Sequence, residues 1–143
     1  MLIAKSTSLK TLDVTESKLA LMSEISIVIP YGHRLTSLNL SMVGCTNHHN
    51  FLLRYSTIER IVDKLKSLKN IILAGTNLCR KSITYLCTYL SSTVEKINLA
   101  TERVRDSDIR ALTNTCPNIS FLNISETLVT IDVFPELAAT WSE

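Results

Sequence analysis

Two adjacent histidines (His48 and His49), four cysteines (Cys45, Cys79, Cys87 and Cys116) and the pair Arg103 and Arg105 are the side chains of this sequence best suited to chemistry. Imidazoles and thiolates hold zinc, and thiolates attack as nucleophiles, when the chain gathers them. The spacing here gathers none. Adjacent histidines lack the roughly three to five intervening residues usual between paired ligands, no third ligand stands near them, and no two cysteines form a Cys-x-x-Cys pair. Only 3 glycines are present, with no glycine-rich phosphate loop, and neither His-Glu-x-x-His nor Gly-x-Ser-x-Gly occurs. The sequence therefore predicts no cofactor, no metal and no enzyme. A hydrolase or metalloenzyme working through the histidines would need an activity that is lost on changing His48 and His49 to Ala. Arg103 and Arg105 keep one chemical use, the reception of an acidic or phosphorylated group, against the plainer reading of a solvated loop.

What must position any contact residue is a repeat. Leu9-Lys-Thr-Leu12-Asp-Val14, Leu35-Thr-Ser-Leu38-Asn-Leu40, Leu68-Lys-Asn-Ile71-Ile-Leu73, Val94-Glu-Lys-Ile97-Asn-Leu99 and Ile119-Ser-Phe-Leu122-Asn-Ile124 all read aliphatic-x-x-aliphatic-x-aliphatic, with starts 26, 33, 26 and 25 residues apart. That register is the signature of a leucine-rich repeat, a short strand followed by a return segment, stacked so that neighbours complete one core. The pattern predicts an α/β fold with about five repeats: a right-handed leucine-rich-repeat solenoid, parallel strands on its concave face and helices on its convex face. One repeat buries roughly six aliphatic side chains at about 1.5–3 kcal/mol each, too little to order about 26 residues at about 1.5 kcal/mol each. Stacking is obligatory, and residues 1–143 are expected to form a single domain.

The register continues past each strand. An apolar residue ten positions beyond the first aliphatic gives Leu19, Cys45, Leu78, Val104 and Val129. Helix-face spacing then gives Ile83/Leu86/Leu90, Ile109/Leu112/Cys116 and Phe134/Leu137/Trp141, with Trp141 expected in the core. In the second repeat the helix is Ile58/Ile61/Val62/Leu65, and Ser56-Thr-Ile-Glu59 has the form of a capping box at its start. The extra length of that repeat falls in Thr46–Tyr55, an insertion expected as a surface loop. The first repeat is less regular, with Leu19, Ile25 and Val28 before Pro30-Tyr31-Gly32 ends its helix. Three of the cysteines fall at apolar positions, which reads as small buried hydrophobes of a reducing compartment in preference to a disulfide pair.

Neither end carries a polar cap. Leu2 sits where Ile61 and Leu112 sit before their strands, and the chain stops at Trp141-Ser142-Glu143 just after the fifth helix. The domain is thus expected to lack one or both caps, as an internal piece of a longer solenoid or a truncated product; the alternative is a short solenoid capped by dimerisation. A net charge of +2 with no block of like charges argues against nucleic acid. No apolar stretch approaches the roughly 18 residues that span a bilayer, and the N-terminus lacks the parts of a signal peptide, so no membrane association is predicted and the expected location is cytoplasmic or nuclear. The sequons at Asn39, Asn118 and Asn123 read as part of the repeat.

Residues alternating with the inward aliphatics form the concave face: Thr11/Asp13/Thr15, Ser37/Asn39/Ser41, Asn70/Ile72/Ala74, Lys96/Asn98/Ala100 and Phe121/Asn123/Ser125. Asp13, Asn39, Asn70, Ile72, Lys96, Asn98, Phe121 and Asn123 are the predicted protein-binding residues. Their small neutral character suits an extended peptide or a protein surface, and Ile72 and Phe121 are candidate anchors. The competing reading is a sheet face kept polar for solubility.

Thr115-Cys116-Pro117-Asn118-Ile119-Ser120-Phe121-Leu122-Asn123-Ile124-Ser125 resembles the Cys-Pro-Asn-Leu-x-x-Leu-x-Leu-Ser signature of cysteine-containing leucine-rich repeats. Ser92–Ala100 followed by Asp106–Leu112 is similar to a repeat of the same kind, that of the F-box/leucine-rich-repeat family. In that family the repeats hold the substrate of a cullin-RING (SCF-type) ubiquitin ligase while an N-terminal F-box holds a Skp-type adaptor. The resemblance implies a substrate-recognition arc whose protein partner is a ubiquitination substrate. Only eight residues precede the first repeat, too few for an F-box, so adaptor and cullin are implied only if an F-box exists outside this chain. A free-standing scaffold or regulator is the alternative.

Overall fold

The computed structural model describes residues 8–15, 32–41 and 53–141. Sequence readings that fall on Met1–Thr7, Leu19, Ile25, Val28, Pro30, Tyr31, Cys45, His48, His49 and the rest of the insertion up to Leu52 lie outside the described residues. Each aliphatic motif supplies one three-residue strand: β1 (Thr11–Asp13), β2 (Ser37–Asn39), β3 (Asn70–Ile72), β4 (Lys96–Asn98) and β5 (Phe121–Asn123). They form one five-stranded sheet in the order β1-β2-β3-β4-β5, every pairing parallel. The register joins equivalent positions of the sequence pattern. Bonded neighbours lie 26 residues apart between β1 and β2, 33 between β2 and β3, 26 between the segments of β3 and β4, and 25 between those of β4 and β5. The long second step therefore leaves the sheet in register, and its extra residues are taken up outside the strands.

Parallel strands need a crossover, and helices supply it. Among the described residues these are α1 (Tyr55–Lys64), α2 (Arg80–Tyr89) and α3 (Asp106–Thr115); a further helix, α4 (Phe134–Thr140), follows β5 after a 3-10 turn at Ile131–Val133. The inward strand residues Leu38, Ile71 and Ile97, with Leu40, Leu73 and Leu99 just beyond them, share one core with Ile58, Ile61, Val62 and Leu65 of α1 and its end, and with Ile83, Leu86, Ile109 and Leu112. At the two edges of the sheet the equivalent residues Leu12, Val14, Leu122 and Ile124 are only half-buried; among the described residues a strand lies on one side of each alone.

Two readings of helix geometry are corrected. The capping box Ser56-x-x-Glu59 does not form: α1 begins two residues earlier, with Arg54 as its N-cap and no hydrogen bond from the cap side chain. Leu53 is buried and its N–H donates to the Thr76 carbonyl (3.3 Å), so the chain enters the core early and Ser56 already lies within the first turn. Phe134 is not in the core either; it is 52% exposed while Val133 is fully buried. The Asp106 carboxylate accepts from the Thr130 N–H (2.7 Å) and hydroxyl (2.5 Å), and Thr130 in turn caps the 3-10 turn. That tighter winding brings Val133 to the inward site one residue ahead of the α-helical register. Trp141 is half-buried, its Nε1–H donating to the Cys116 carbonyl at 3.1 Å.

Buried carboxylates tie successive units together. Glu102 stands three residues past Leu99, the site that Thr76 holds past Leu73 and Thr127 past Ile124. The two threonines bond back to Leu73 and Ile124 within their own turns (2.7 and 2.6 Å). Glu102 instead reaches the preceding turn, accepting from the N–H groups of Thr76 (2.8 Å), Asn77 (3.0 Å) and Leu78 (2.7 Å). Burial pushes its carboxyl above the usual range, against these bonds that favour the anion. Asp108, also buried, accepts from the Arg105 N–H (2.9 Å) at the start of α3 and receives both Arg80 guanidinium arms from the start of α2. After β3, β4 and β5 the chain turns through a left-handed residue, at Gly75, Thr101 and Glu126 with φ of 70, 65 and 57°.

Candidate protein-binding surface

The side chains alternating with the inward aliphatics form the second face of the sheet. None of its ten strand residues is buried. Parallel sheets are ordinarily covered on both sides, so an exposed face with five parallel strands is the unusual feature of this architecture. Two rows run across it. Thr11, Ser37, Asn70, Lys96 and Phe121 are neighbours in the first, and Asp13, Asn39, Ile72, Asn98 and Asn123 in the second. All eight predicted contact residues are brought onto this one face.

The second row carries a structural duty that the sequence reading missed. Asp13 Oδ1 accepts from the N–H (2.9 Å) and hydroxyl (2.6 Å) of Thr15. Asn39 Oδ1 does the same with Ser41 (3.0 and 2.7 Å), and Asn123 Oδ1 with Ser125 (3.0 and 2.7 Å). Asn98 holds the Ala100 N–H at 3.1 Å. Each is an Asx turn that bends the chain at the end of its strand. The Thr15 hydroxyl and amide hold the Asp13 carboxyl below the usual range, and Asn39 Nδ2 donates to Asp13 Oδ2 across the strands (3.1 Å). The signal was present in the sequence as Asp13-Val-Thr15, Asn39-Leu-Ser41 and Asn123-Ile-Ser125. Two of the sequons are therefore turn chemistry.

Of the eight predicted residues, Asn70, Ile72, Lys96 and Phe121 close none of these turns. Asn70 Nδ2 donates to the Ser37 hydroxyl (3.1 Å) and presents its carbonyl. Ile72 lacks the turn-closing oxygen and lies half-buried between Asn39 and Asn98. Lys96 is exposed, with no ion-pair partner among the described residues. Phe121 pairs with it in register and is 52% exposed. The apolar character continues around the β5 edge through Leu128, Ile131 and Phe134, all exposed. An open groove of about 680 Å³ lies beside Phe121, between Pro117–Leu122 and Ala139–Trp141.

Arg103 and Arg105 are exposed, but α3 opens with Asp106 and Asp108 immediately after them. Their charge is offset within one helical turn, which weakens any anion site. Cys87 and Cys116 are free and buried, and burial pushes the Cys116 thiol up to about 11 and Cys87 higher still. Cys79, half-exposed at the start of α2, is held below the usual thiol value by the Ser82 hydroxyl at 3.1 Å. Among the described residues no three His, Cys, Asp or Glu side chains are placed to hold a metal ion, and no helix is long and apolar enough to cross a membrane. Comparison with protein-family models found none that matches this chain, and comparison with curated proteins found no match.

Proposed function

We propose that this chain is a protein-binding module, a right-handed leucine-rich-repeat solenoid whose exposed sheet face is its concave, partner-binding surface. The observation that carries the reading is the uncovered face of the parallel sheet, with Phe121 standing exposed beside Lys96, which has no ion-pair partner among the described residues. Four turn-closing side chains hold that face in a fixed shape, so a partner meets a preorganised surface at little ordering cost. Ile72 and Phe121 supply apolar anchors, Lys96 a positive charge, and Asn70 a carbonyl for a partner's backbone.

Within this reading the partner is a ubiquitination substrate and the module acts as the recognition arc of an SCF-type ligase, in line with the resemblance of Thr115–Ser125 to cysteine-containing repeats. The alternative role is a free-standing scaffold using the same face. The test is affinity capture with the intact chain and with a Phe121→Ser, Ile72→Ser double variant. The expected result is a partner retained by the first and lost by the second. A Skp-type adaptor and cullin recovered alongside that partner support the ligase role, a partner without them supports the scaffold, and retention by the double variant rejects the face.

A further inference from the structure

On the helix side, the seam between α1 and α2 differs from its neighbours. Helical spacing aligns Tyr55, Glu59 and Asp63 along the shoulder of α1, and Lys81, Tyr85 and Tyr89 along the facing shoulder of α2. The Tyr55 and Tyr85 rings meet edge to face, 5.5 Å apart at 80°, and Tyr85 and Tyr89 are tilted at 4.8 Å. Lys81 Nζ lies 4.0 Å from the centre of the Tyr55 ring. The Tyr85 hydroxyl donates to Asp63 Oδ1 at 3.0 Å. At the α2–α3 seam the corresponding residues are Thr84 and Thr88 against Ala111 and Thr115, where Thr115 simply bonds the Thr88 carbonyl (3.2 Å). Small residues suffice there to pack two helices. Three tyrosines are more than packing requires, and Tyr89 is left 58% exposed.

The local charge is negative. Glu59 and Asp63 make no ion pair among the described residues, so two carboxylates face one ammonium, while Arg60 and Lys64 fall on the opposite shoulder of α1 by helical spacing. Burial first, then Asp63, push the Tyr85 hydroxyl up to about 12, and Glu59 acts in the same sense on Tyr55. Aromatic faces with neighbouring carboxylates attract cations, and Lys81 shows the attraction at work within the chain.

We propose that the α1–α2 seam is a second docking site, taking a lysine or arginine side chain from a basic segment of a partner protein. The incoming cation stacks on the exposed Tyr89 ring, or replaces Lys81 over Tyr55, with Glu59 and Asp63 as counter-charges. The site is independent of the sheet face. It is tested by fluorescence anisotropy with the full chain and a labelled peptide of arginines separated by serines, against the same peptide with glutamine in place of arginine. The chain's net charge of +2 gives a cationic peptide no general attraction, so binding must be local. The expected result is an arginine peptide bound at least about tenfold more tightly than the glutamine peptide, and weakened about threefold or more by Tyr89→Ser and by Glu59→Gln with Asp63→Asn. Lys81→Met, which removes the internal competitor from an exposed position, is expected to tighten binding. Equal binding of the two peptides, or affinity unchanged by both Tyr89→Ser and Lys81→Met, overturns the proposal.

Discussion

The units beginning at Val94 and Ile119 share one sequence pattern and differ in what it does. In the first, Ile97, Leu99, Val104 and Ile109 are fully buried, and Glu102 reaches back to bind three amides of the preceding turn. In the second, Leu122, Ile124 and Val129 are half-buried, Phe134 has left the core, and the place of Glu102 is held by Thr127, which bonds within its own turn. A pattern position specifies which way a side chain points, and only a neighbour on each side makes that direction a buried one. The interior unit has become scaffold, whereas the edge unit keeps apolar surface that an interaction can use.

Substitutions at matched positions should separate these roles. Ile97→Ala removes a fully buried side chain with neighbours on both flanks and is expected to cost about 3–4 kcal/mol in urea unfolding. Glu102→Ala removes the carboxylate that three amides share, those of Thr76 and Leu78 on buried residues, and should cost about 2–3 kcal/mol. Leu122→Ala, matching Ile97 at the half-buried edge, is expected to cost only about 1–2 kcal/mol. Equal losses at positions 97 and 122 would erase the distinction between interior and edge.

A fourth prediction concerns acid. The Thr130 hydroxyl and amide hold Asp106 below its ordinary value of 3.8, which makes the clamp favourable when the carboxylate is ionised. Its contribution is present above that value and lost as pH falls through the lowered one. Melting temperatures measured from pH 6 down to about pH 2.5 should fall less steeply for Asp106→Asn than for the parent chain. The smallest effect is expected at the left-handed turn. Thr101→Gly relieves a β-branched residue at φ 65° and should raise stability by about 1 kcal/mol, while Gly75→Ala at the matching site of the preceding unit should lower it by a similar amount.

The parallel sheet, its order and its register were legible in the sequence, because a strand buried on one face writes its period into its aliphatic residues, as Leu38, Ile71 and Ile97 do. The helix faces were legible where both neighbours exist: Ile83, Leu86, Ile109 and Leu112 are all buried as their spacing predicts. Phe134 was misplaced because a hydrogen-bonded clamp between residues 24 apart in sequence, Asp106 and Thr130, decides where the final turn begins. The capping box at Ser56 was misplaced because Leu53 binds a carbonyl of the next unit. The exposed sheet face was legible as a set of residues but not in its division of labour: Asn39, Asn98 and Asn123 have the composition of a binding surface, yet their oxygens close turns. The tyrosine seam went unread because Tyr55, Tyr85 and Tyr89 lie in two helices whose facing shoulders only the packing brings together.

On the proposed function, the open sheet face, and not the helix shoulders, receives the principal partner. Site-specific photocrosslinking tests it directly, with benzoylphenylalanine placed in separate chains at position 121, at position 96 and at position 60 on the exposed shoulder of α1. Positions 121 and 96 are expected to label the same partner protein, and position 60 is expected not to. Labelling of that partner from position 60 alone, or equally from all three positions, would contradict it.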